Sequence, residues 1–479
     1  MSHSILLGGA DGKQILLDAG MANRHGLITG ATGTGKTITL QVLAESFSRL
    51  GVPVFAADIK GDLSGVAKAG SEHPKIAERV SSIGIGEHVF EACPTLFWDV
   101  HGDKGHPVRT TVSEMGPVLL SNLLALNETQ EGVLHIAFAL ADEQGLLLLD
   151  LKDLRAMLNW VGDNAKGLSR QYGHVARQSV TAILRRLLVL EESGGDRFFG
   201  EPALRIEHLL QSDFSGRGVI SLLDATGLYS NARIYATFLL WLLSELMEEL
   251  PERGDAPLPK LIFFFDEAHL LFDKAPPALL ERITQVVRLI RSKGVGVFFV
   301  TQYPNDVPDE VIGQLRNRIQ HALRAFTPRD RKALKAAAET FRPNPAFDTE
   351  AAIAELGLGE ALISTLDSKG IPSMVERTLI APPRSRIGPV TTQERDEILA
   401  RSPLLDIYKE ALDRESAFEQ LKRREAELAS LRKQGSFAQE RRSPAKGRNS
   451  RRSCRQTTVE SLARSLMRSL GSSLGRSIA

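Results

Sequence analysis

The 479-residue sequence lacks the features that mark secreted and membrane-spanning proteins. Its two cysteines, Cys93 and Cys454, supply no disulfide framework and are too far apart in sequence to suggest a metal cluster. Residues 1–23 do not combine a basic start with a sustained apolar core, as a secretory signal would. The longest apolar stretch, Tyr235 to Leu243, is too short to cross a bilayer. We therefore expect a cytoplasmic protein without a transmembrane segment.

The sequence also lacks a strong net charge, but the average value of +1 conceals an asymmetry. Residues 436–479 contain ten Lys or Arg and two Glu, which leaves 49 basic and 56 acidic residues in the rest of the chain. A basic tail on a mildly acidic body indicates an arm for nucleic acid, anionic lipid or a protein partner. A disordered solubilising tail explains the same composition. The hydrophobic content of 43% is typical of a globular body.

A concentration of glycine, threonine and lysine occurs in HGLITGATGTGKTITL, residues 25–40, between a strand-like and a helix-like stretch. Residues 30–37 fit the pattern GxxxxGK[ST]. Its glycines let backbone N–H groups point inward at a helix N-terminus, where they bind the β- and γ-phosphates of a nucleotide. The lysine adds a cation, and the final threonine adds a hydroxyl for Mg²⁺. The predicted nucleotide-binding residues are Gly30, Ala31, Thr32, Gly33, Thr34, Gly35, Lys36, Thr37 and Ile38. A glycine-rich turn with a solvated lysine is the alternative.

Apolar runs of strand length alternate with helical segments after His25. They read GVPVFAADI, GVISLLDAT, KLIFFFDEA and GVGVFFVTQ. Runs that are apolar on both faces are typical of buried parallel strands. The sequence therefore predicts an α/β fold with a mainly parallel sheet flanked by helices.

Changes in this pattern divide the chain into six segments. They are an N-terminal hairpin lead-in (1–24), the first part of the core with the phosphate loop (25–111), a helical insertion (112–215), the second part of the core with the acidic pair and C-terminal strands (216–383), a linker with a charged helix (384–435), and a basic tail with an amphipathic helix (436–479).

Two helices are predicted near the C-terminus. The charged one spans Leu404 to Gln434, and its apolar spacing fits either a short coiled coil or a helix laid on a neighbour. The amphipathic one runs from Val459 through VESLARSLMRSLGSSLGRSIA. It could lie on a membrane surface, dock on a partner or pack on its own protein.

Polar residues at two strand ends are candidates for catalysis. Asp266 follows FFF and would hold the hydrated metal, while Glu267 would activate the attacking water as a general base. Gln302 ends the next strand-like run, where its amide could sense the γ-phosphate. The alternative for the acidic pair is that its two carboxylates cap the following helix. The alternative for Gln302 is that its amide satisfies backbone groups at the strand end.

Hydrolysis of a γ-phosphate needs positive charge beyond that of Lys36 and Mg²⁺, and an arginine from a neighbouring subunit often supplies it. Arg291 is our preferred candidate, with Arg288 on the same helix, and Arg316 and Arg318 form a second set. A solvated helix face is the alternative for each. The stretch ADIKGDLSG contains Asp58, Lys60 and Asp62, which could position metal, couple to a polymer or form a polar loop without chemistry.

Taken together, HGLITGATGTGKT, FFFDEAH, RLIRSKGVG and VFFVTQYP resemble the HerA and FtsK type of P-loop motor ATPase. The likeness covers roughly residues 25–382 and is greatest to the bacterial HerA-like (YjgR) branch. The resemblance implies a RecA-like sheet and a homo-oligomeric ring of six subunits with ATP and Mg²⁺ between neighbours. It also implies Arg291 as the residue offered in trans, and a central channel for duplex DNA.

Three functions are compatible with these features. The first is a Mg²⁺-dependent ATPase of the HerA-like class that powers DNA translocation or a helicase-type activity. The second is a membrane-associated ATPase that resembles the engines of conjugation and secretion, with the last helix as a peripheral anchor. The third is a nucleotide-gated scaffold whose coiled region recruits a partner.

Overall fold

The computed structural model describes residues 3–10, 12–228, 232–254, 256–273, 277–325 and 327–440. Within these ranges one sheet contains twelve strands. They are β1 (Ser4–Ala10), β2 (Lys13–Asp18), β3 (Gly26–Thr29), β4 (Val54–Asp58), β5 (Thr95–Asp99), β6 (His106–Pro107), β7 (Ile220–Asp224), β8 (Leu261–Phe265), β9 (Val295–Thr301), β10 (Asn317–His321), β11 (Glu360–Ser364) and β12 (Glu376–Ile380).

The sheet has a parallel part and an antiparallel extension. The strand order is β2-β1-β12-β11-β10-β3-β9-β8-β4-β7-β5-β6. Every pairing from β10 to β6 is parallel, and every pairing from β10 to β2 is antiparallel. The four apolar runs of the sequence form β4, β7, β8 and β9, which lie side by side with one another in the parallel part. The predicted fold class is therefore confirmed.

Helices flank this sheet. The α-helices of the described residues are α1 (Lys36–Arg49), α2 (Pro74–Ile83), α3 (Val112–Leu123), α4 (Glu128–Glu143), α5 (Leu151–Asp163), α6 (Ala165–Tyr172), α7 (Arg177–Leu190), α8 (Asp196–Phe198), α9 (Ala232–Glu249), α10 (His269–Phe272), α11 (Pro277–Ile290), α12 (Asp309–Ile312), α13 (Pro328–Glu339), α14 (Thr349–Glu355), α15 (Thr392–Ala400), α16 (Leu405–Tyr408) and α17 (Ala417–Glu440). No helix in the ranges given above is long and apolar enough to span a bilayer.

Alternate residues of each central strand enter two different hydrophobic cores. Phe263 and Phe265 of β8 join the core that contains α9 and α11 on one face. Phe264, between them, belongs to the core on the other face, together with Phe47 of α1. Both faces are therefore covered, which is why the strand sequences are continuously apolar instead of alternating. The helices of the predicted insertion share the first core through residues such as Leu158.

The predicted single helix over Leu404 to Gln434 is wrong in its first half. The short α16 ends at Tyr408, and α17 begins at Ala417. Between them Leu412 donates its backbone N–H to Glu201, so this stretch pairs with another segment instead of continuing a helix. The start of α17 is laid on α5, because Ser416 Oγ and the backbone N–H of Phe418 both donate to the Asp153 carboxylate. The amphipathic helix predicted from Val459 lies outside the described residues.

Candidate functional site

The predicted phosphate loop connects the end of β3 to the start of α1. Gly30, Gly33 and Gly35 have φ angles of 147°, 76° and 118°, a region that favours glycine. A Cβ at Gly30 would lie 2.5 Å from the Cβ of His321, so this glycine is required by space as well as by conformation. Gly35 caps α1 without a side chain, which leaves the first N–H groups of the helix facing the loop.

Neighbouring strands fix the loop at both ends. Gly30 donates its N–H to the carbonyl of Gln302, which follows β9, and Ala31 donates to the carbonyl of Ala322, which follows β10. Beneath it, the buried His321 ring contacts Thr39 Oγ1 through Nε2 and the carbonyl of Glu360 through Nδ1. A carbonyl only accepts, so Nδ1 carries the proton and Nε2 accepts from the Thr39 hydroxyl. The loop therefore rests on a neutral histidine.

Lys36 folds its side chain back over the loop. Its Nζ donates to the carbonyls of Gly30 and Ala31 at 2.6 Å and 3.0 Å. Burial, and then the positive charge of Lys60, lowers the pKa of Lys36 to about 8, while Glu267 and Asp266 act in the opposite direction. Both acids and Lys60 are therefore close enough to influence this ammonium group.

The acidic pair follows β8 at the same edge of the sheet. Burial, and then the charge of Glu267, raises the pKa of Asp266 to about 7. Glu267 is 4% exposed and has a φ angle of 48°, a strained conformation for a residue other than glycine. Its Oε1 forms an ion pair with Lys60 Nζ, and its Oε2 lies 3.2 Å from His269 Nδ1. The backbone thus holds a buried carboxylate between two basic side chains.

The loop after β4 links the acidic pair to the phosphate loop. Asp58 accepts backbone N–H groups from Gly61 and Leu63, which folds the loop. That fold directs Lys60 to Glu267 and Asp62 to Thr37, whose Oγ1 donates to Asp62 Oδ2 at 3.3 Å. The Thr37 hydroxyl, Asp62 and Asp266 are hard oxygen donors of the kind that Mg²⁺ prefers.

Gln302 lies beside the phosphate loop through its backbone, as described above. Its side chain lines a cavity of about 260 Å³ together with His269 and Tyr303. Thr301, the last residue of β9, donates its hydroxyl to Asp306 at 2.7 Å and so satisfies a local turn.

The candidate arginines are at the opposite edge of the sheet. Arg291 begins a turn that precedes β9. It is close enough to His25, which precedes β3, for its charge to add to the burial that lowers the pKa of this histidine. Since β9 has seven residues, a strand length of about 23 Å at 3.3 Å per residue separates Arg291 from the phosphate loop. Arg316 precedes β10, and Arg318 lies near its start. The structure therefore does not bring these residues to the phosphate loop of their own chain.

The sequence interpretation missed β10 and, with it, His321. NRIQH contains one aliphatic residue, Ile319, so it carries little strand signal. Yet β10 pairs with β3, and Thr29 donates its hydroxyl to Gln320 Oε1. His269, which directly follows the DEA of the acidic motif, was also missed as a neighbour of Glu267.

Comparisons with known proteins agree with this architecture. The profile of the helicase HerA-like C-terminal family (HerA_C) matches residues 4–479. A search of curated proteins finds no match.

Solved structures match the fold at low identity. An unbound form of the bacterial conjugative coupling protein TrwBΔN70 is 14% identical, with 80% of this chain and 90% of that chain aligned and a TM-score of 0.53. VirB4 of Thermoanaerobacter pseudethanolicus is 17% identical, with 78% and 96% aligned and a TM-score of 0.51. TrwB in complex with ADP and Mg²⁺ is 14% identical, with 78% and 90% aligned and a TM-score of 0.51. At these identities the likeness establishes the fold.

Buried histidines make the free energy of unfolding depend on pH. Burial lowers the pKa values of His25, His106 and His321 to about 4 from a usual 6.5. Below pH 6.5 the unfolded chain therefore binds protons that the folded chain does not, and stability falls as the pH falls toward 4. Between pH 6.5 and 5 each such group removes about 2 kcal/mol. Denaturant titration at pH 6.5 and pH 5 measures this loss in the free energy of unfolding. The loss should be smaller by about 2 kcal/mol in His321→Gln than in the wild type.

The control for this measurement is His135→Gln, because His135 is an exposed residue on α4. It should show the same pH-dependent loss as the wild type. An unchanged loss in His321→Gln would mean that His321 is protonated alike in the folded and unfolded states.

Proposed function

Because the chain belongs to the helicase HerA-like C-terminal family, we propose that it is a Mg²⁺-dependent ATPase whose subunits form a ring and move duplex DNA. The observation that carries the proposal is the meeting of three elements at one edge of the sheet. The phosphate loop, the acidic pair after β8 and the loop after β4 are joined there by Lys60 and Asp62. Ligands of α/β sheets bind at this carboxyl edge of the parallel strands.

The phosphate loop binds the triphosphate. Its left-handed glycines turn backbone N–H groups toward the β- and γ-phosphates, and the N-terminus of α1 adds its partial positive charge. Lys36 would exchange the carbonyls of Gly30 and Ala31 for phosphate oxygens. A phosphate anion favours the charged ammonium, so binding offsets the burial that lowers the pKa of this lysine.

Thr37 and Asp266 would hold Mg²⁺, and Asp62 orients the Thr37 hydroxyl. When bound, Mg²⁺ supplies positive charge that neutralises the β- and γ-phosphate oxygens. Burial of Asp266 keeps its carboxyl protonated more readily than usual, so the carboxyl loses a proton when it takes up a cation.

Glu267 is the general base for the attacking water, and Lys60 controls its availability. While Lys60 occupies Oε1, that oxygen cannot accept the proton of a water molecule. The γ-phosphate of ATP would compete for the Lys60 ammonium, since Lys60 is close enough to Lys36 to lower its pKa. ATP binding would thus release the carboxylate that hydrolysis requires. The backbone carbonyl of Gln302 accepts a hydrogen bond from Gly30. Gln302 would couple the loss of the γ-phosphate to movement of the segment after β9.

Arg291 would complete the site of a neighbouring subunit. It lies a strand length from its own phosphate loop, so it can act on a nucleotide only if a second copy of the chain presents it. A ring in which the carboxyl edge of one sheet faces the opposite edge of the next satisfies this requirement. Six subunits is the number that the resemblance suggests.

DNA is the proposed polymer because of family membership. The alternative is a membrane-associated ATPase of the conjugation or secretion type, which the fold likeness to the coupling protein TrwB and to VirB4 favours. In that case the basic tail, residues 436–479, would contact anionic lipid. The two functions share the ATP site and differ in what stimulates it.

Glu267→Gln should bind ATP with wild-type affinity and lose at least about 100-fold in turnover, because the amide cannot accept the proton of water. Lys36→Ala should weaken both binding and turnover. The measurements are nucleotide-binding titration and steady-state phosphate release. Glu281→Gln, on the exposed face of α11, is the matched control and should match the wild type. Normal turnover in Glu267→Gln would refute the assignment of the base.

Arg291→Ala should reduce turnover by about 10³-fold, because the transition-state charge loses a cation. Mixing Arg291→Ala subunits with Lys36→Ala subunits should restore activity, since some interfaces then join an intact phosphate loop to an intact Arg291. With random mixing about a quarter of the interfaces are complete, so about a quarter of the wild-type rate is expected. No recovery at all would count against an arginine offered in trans.

Duplex DNA should stimulate ATP turnover, and the stimulation should rise with duplex length and decline as salt increases from about 50 to 200 mM. Phosphate contacts release counterions, which is the reason for the salt dependence. Anionic vesicles should have no effect on the rate. Stimulation by vesicles that is lost on removal of Val459 to Ala479 would favour the membrane-associated alternative. A rate of ATP turnover that neither duplex DNA nor vesicles change would favour the scaffold function.

A further inference from the structure

A cavity of about 430 Å³ opens at the edge of the sheet opposite the phosphate loop. We call it the arginine pocket, because Arg316, Arg318 and Arg342 line it. Arg316 precedes β10, Arg318 lies near its start, and Arg342 follows the end of α13. Apolar side chains, among them Phe341 and Ile371, form part of the remaining wall. Its volume lies within the range of about 300–1,000 Å³ that is usual for small-ligand sites.

The three guanidinium groups have no acidic partner among the described residues. Arg318 donates to the carbonyl of Ile312 at 3.3 Å, and Arg342 donates to the carbonyl of Pro372 at 3.3 Å. Two other partly buried arginines are neutralised, Arg395 by Asp224 at 3.1 Å and Arg386 by Glu394 at 2.7 Å, whereas Arg79 and Arg109 donate to backbone carbonyls. The arginine pocket is therefore a concentration of positive charge that the described part of the chain does not compensate.

Arg318 is the partly buried member of the arginine pocket, whereas Arg316 and Arg342 are exposed. It is partly buried because β10 lies between β3 and β11, and its backbone is opposite Ser364 of β11. Burial, and then the charge of Arg316, lowers the pKa of Arg318. Like charges beside a partly buried cation raise its free energy, and an anion bound between them removes that cost.

We propose that the arginine pocket binds a phosphate group of a nucleotide. Guanidinium groups match phosphate oxygens in geometry and bind them through paired hydrogen bonds. The adjoining apolar wall, with Phe341 and Ile371, suits the uncharged base of such a ligand.

The bound phosphate does not belong to the nucleotide of the same phosphate loop. The five residues of β10, about 16 Å at 3.3 Å per residue, separate the arginine pocket from the loop edge. A nucleotide held by an adjacent subunit would make these residues the second set of trans arginines that the sequence already suggests. We therefore commit to a nucleotide free in solution, a source that does not rest on the ring of the proposed function.

The test counts ADP sites in the full-length protein by equilibrium dialysis with labelled ADP, and it measures ATP turnover in parallel. The variant is Arg318→Gln with Arg342→Gln, in which amides replace two of the three cations. The control is Arg331→Gln with Lys335→Gln, which removes two exposed cations from α13 outside the arginine pocket.

Lys36→Ala identifies the class of sites that belongs to the phosphate loop. Thermal unfolding of every variant verifies the fold, and Arg316→Gln, an exposed substitution, replaces the double variant if that fails to fold.

If the arginine pocket binds a free nucleotide, the wild type has two classes of ADP site. Lys36→Ala keeps the class in the arginine pocket, and the double variant loses that class. This result supports the proposal. One class of site, a loss of at least about 100-fold in turnover in the double variant and recovery on mixing with Lys36→Ala subunits would assign these arginines to the ATP site of an adjacent subunit and overturn the proposal. One class with unchanged turnover overturns it, and so does a variant that loses only affinity for duplex DNA. Two classes in a protein without ATP turnover would retain the arginine pocket and refute the proposed ATPase instead.

Discussion

The left-handed backbone of the phosphate loop is the constraint on which the site depends. Gly30 lies so close to His321 that no side chain fits, and its N–H and that of Ala31 are bound to segments that follow β9 and β10. The loop is therefore shaped by three adjacent strands, not by its own sequence alone. The neutral His321 ring accepts from Thr39 of α1 and donates to β11, so it joins the loop helix to the antiparallel part of the sheet.

A second constraint is the balance of buried charge beside this loop. Asp58, Asp266 and Glu267 are each less than 10% exposed, and isolated carboxylates at such depth would be strongly destabilising. Backbone N–H groups compensate Asp58, and Lys60 compensates Glu267. Lys60 is also the group for which the triphosphate of the proposed function would compete. The compensated network thus lowers the free-energy cost of burying these carboxylates side by side.

Much of the fold could be predicted because its signals are local. Four continuously apolar runs mark β4, β7, β8 and β9, and the glycine spacing marks the phosphate loop. β10 could not be predicted, because its polar residues owe their burial to partners such as Thr29 that are distant in sequence. The break between α16 and α17 likewise depends on Asp153 and Glu201, more than 200 residues earlier. The roles of Lys60 and Asp62 were left open, since the fold of their loop, set by Asp58, decides which groups they reach.

The pairing of β1 with β12 places Gly8 opposite Ile380, so the beginning of the chain meets a partner that the ribosome makes near the end of the core. Until then the β1–β2 hairpin has no third strand, and a two-stranded hairpin alone is at best marginally stable in water. The antiparallel margin of the sheet consequently closes only after the nascent chain has passed residue 380. A polypeptide that stops short of β12 would leave the edges of both β1 and β11 open, and exposed strand edges promote aggregation. The strand arrangement thereby links completion of synthesis to protection of the sheet.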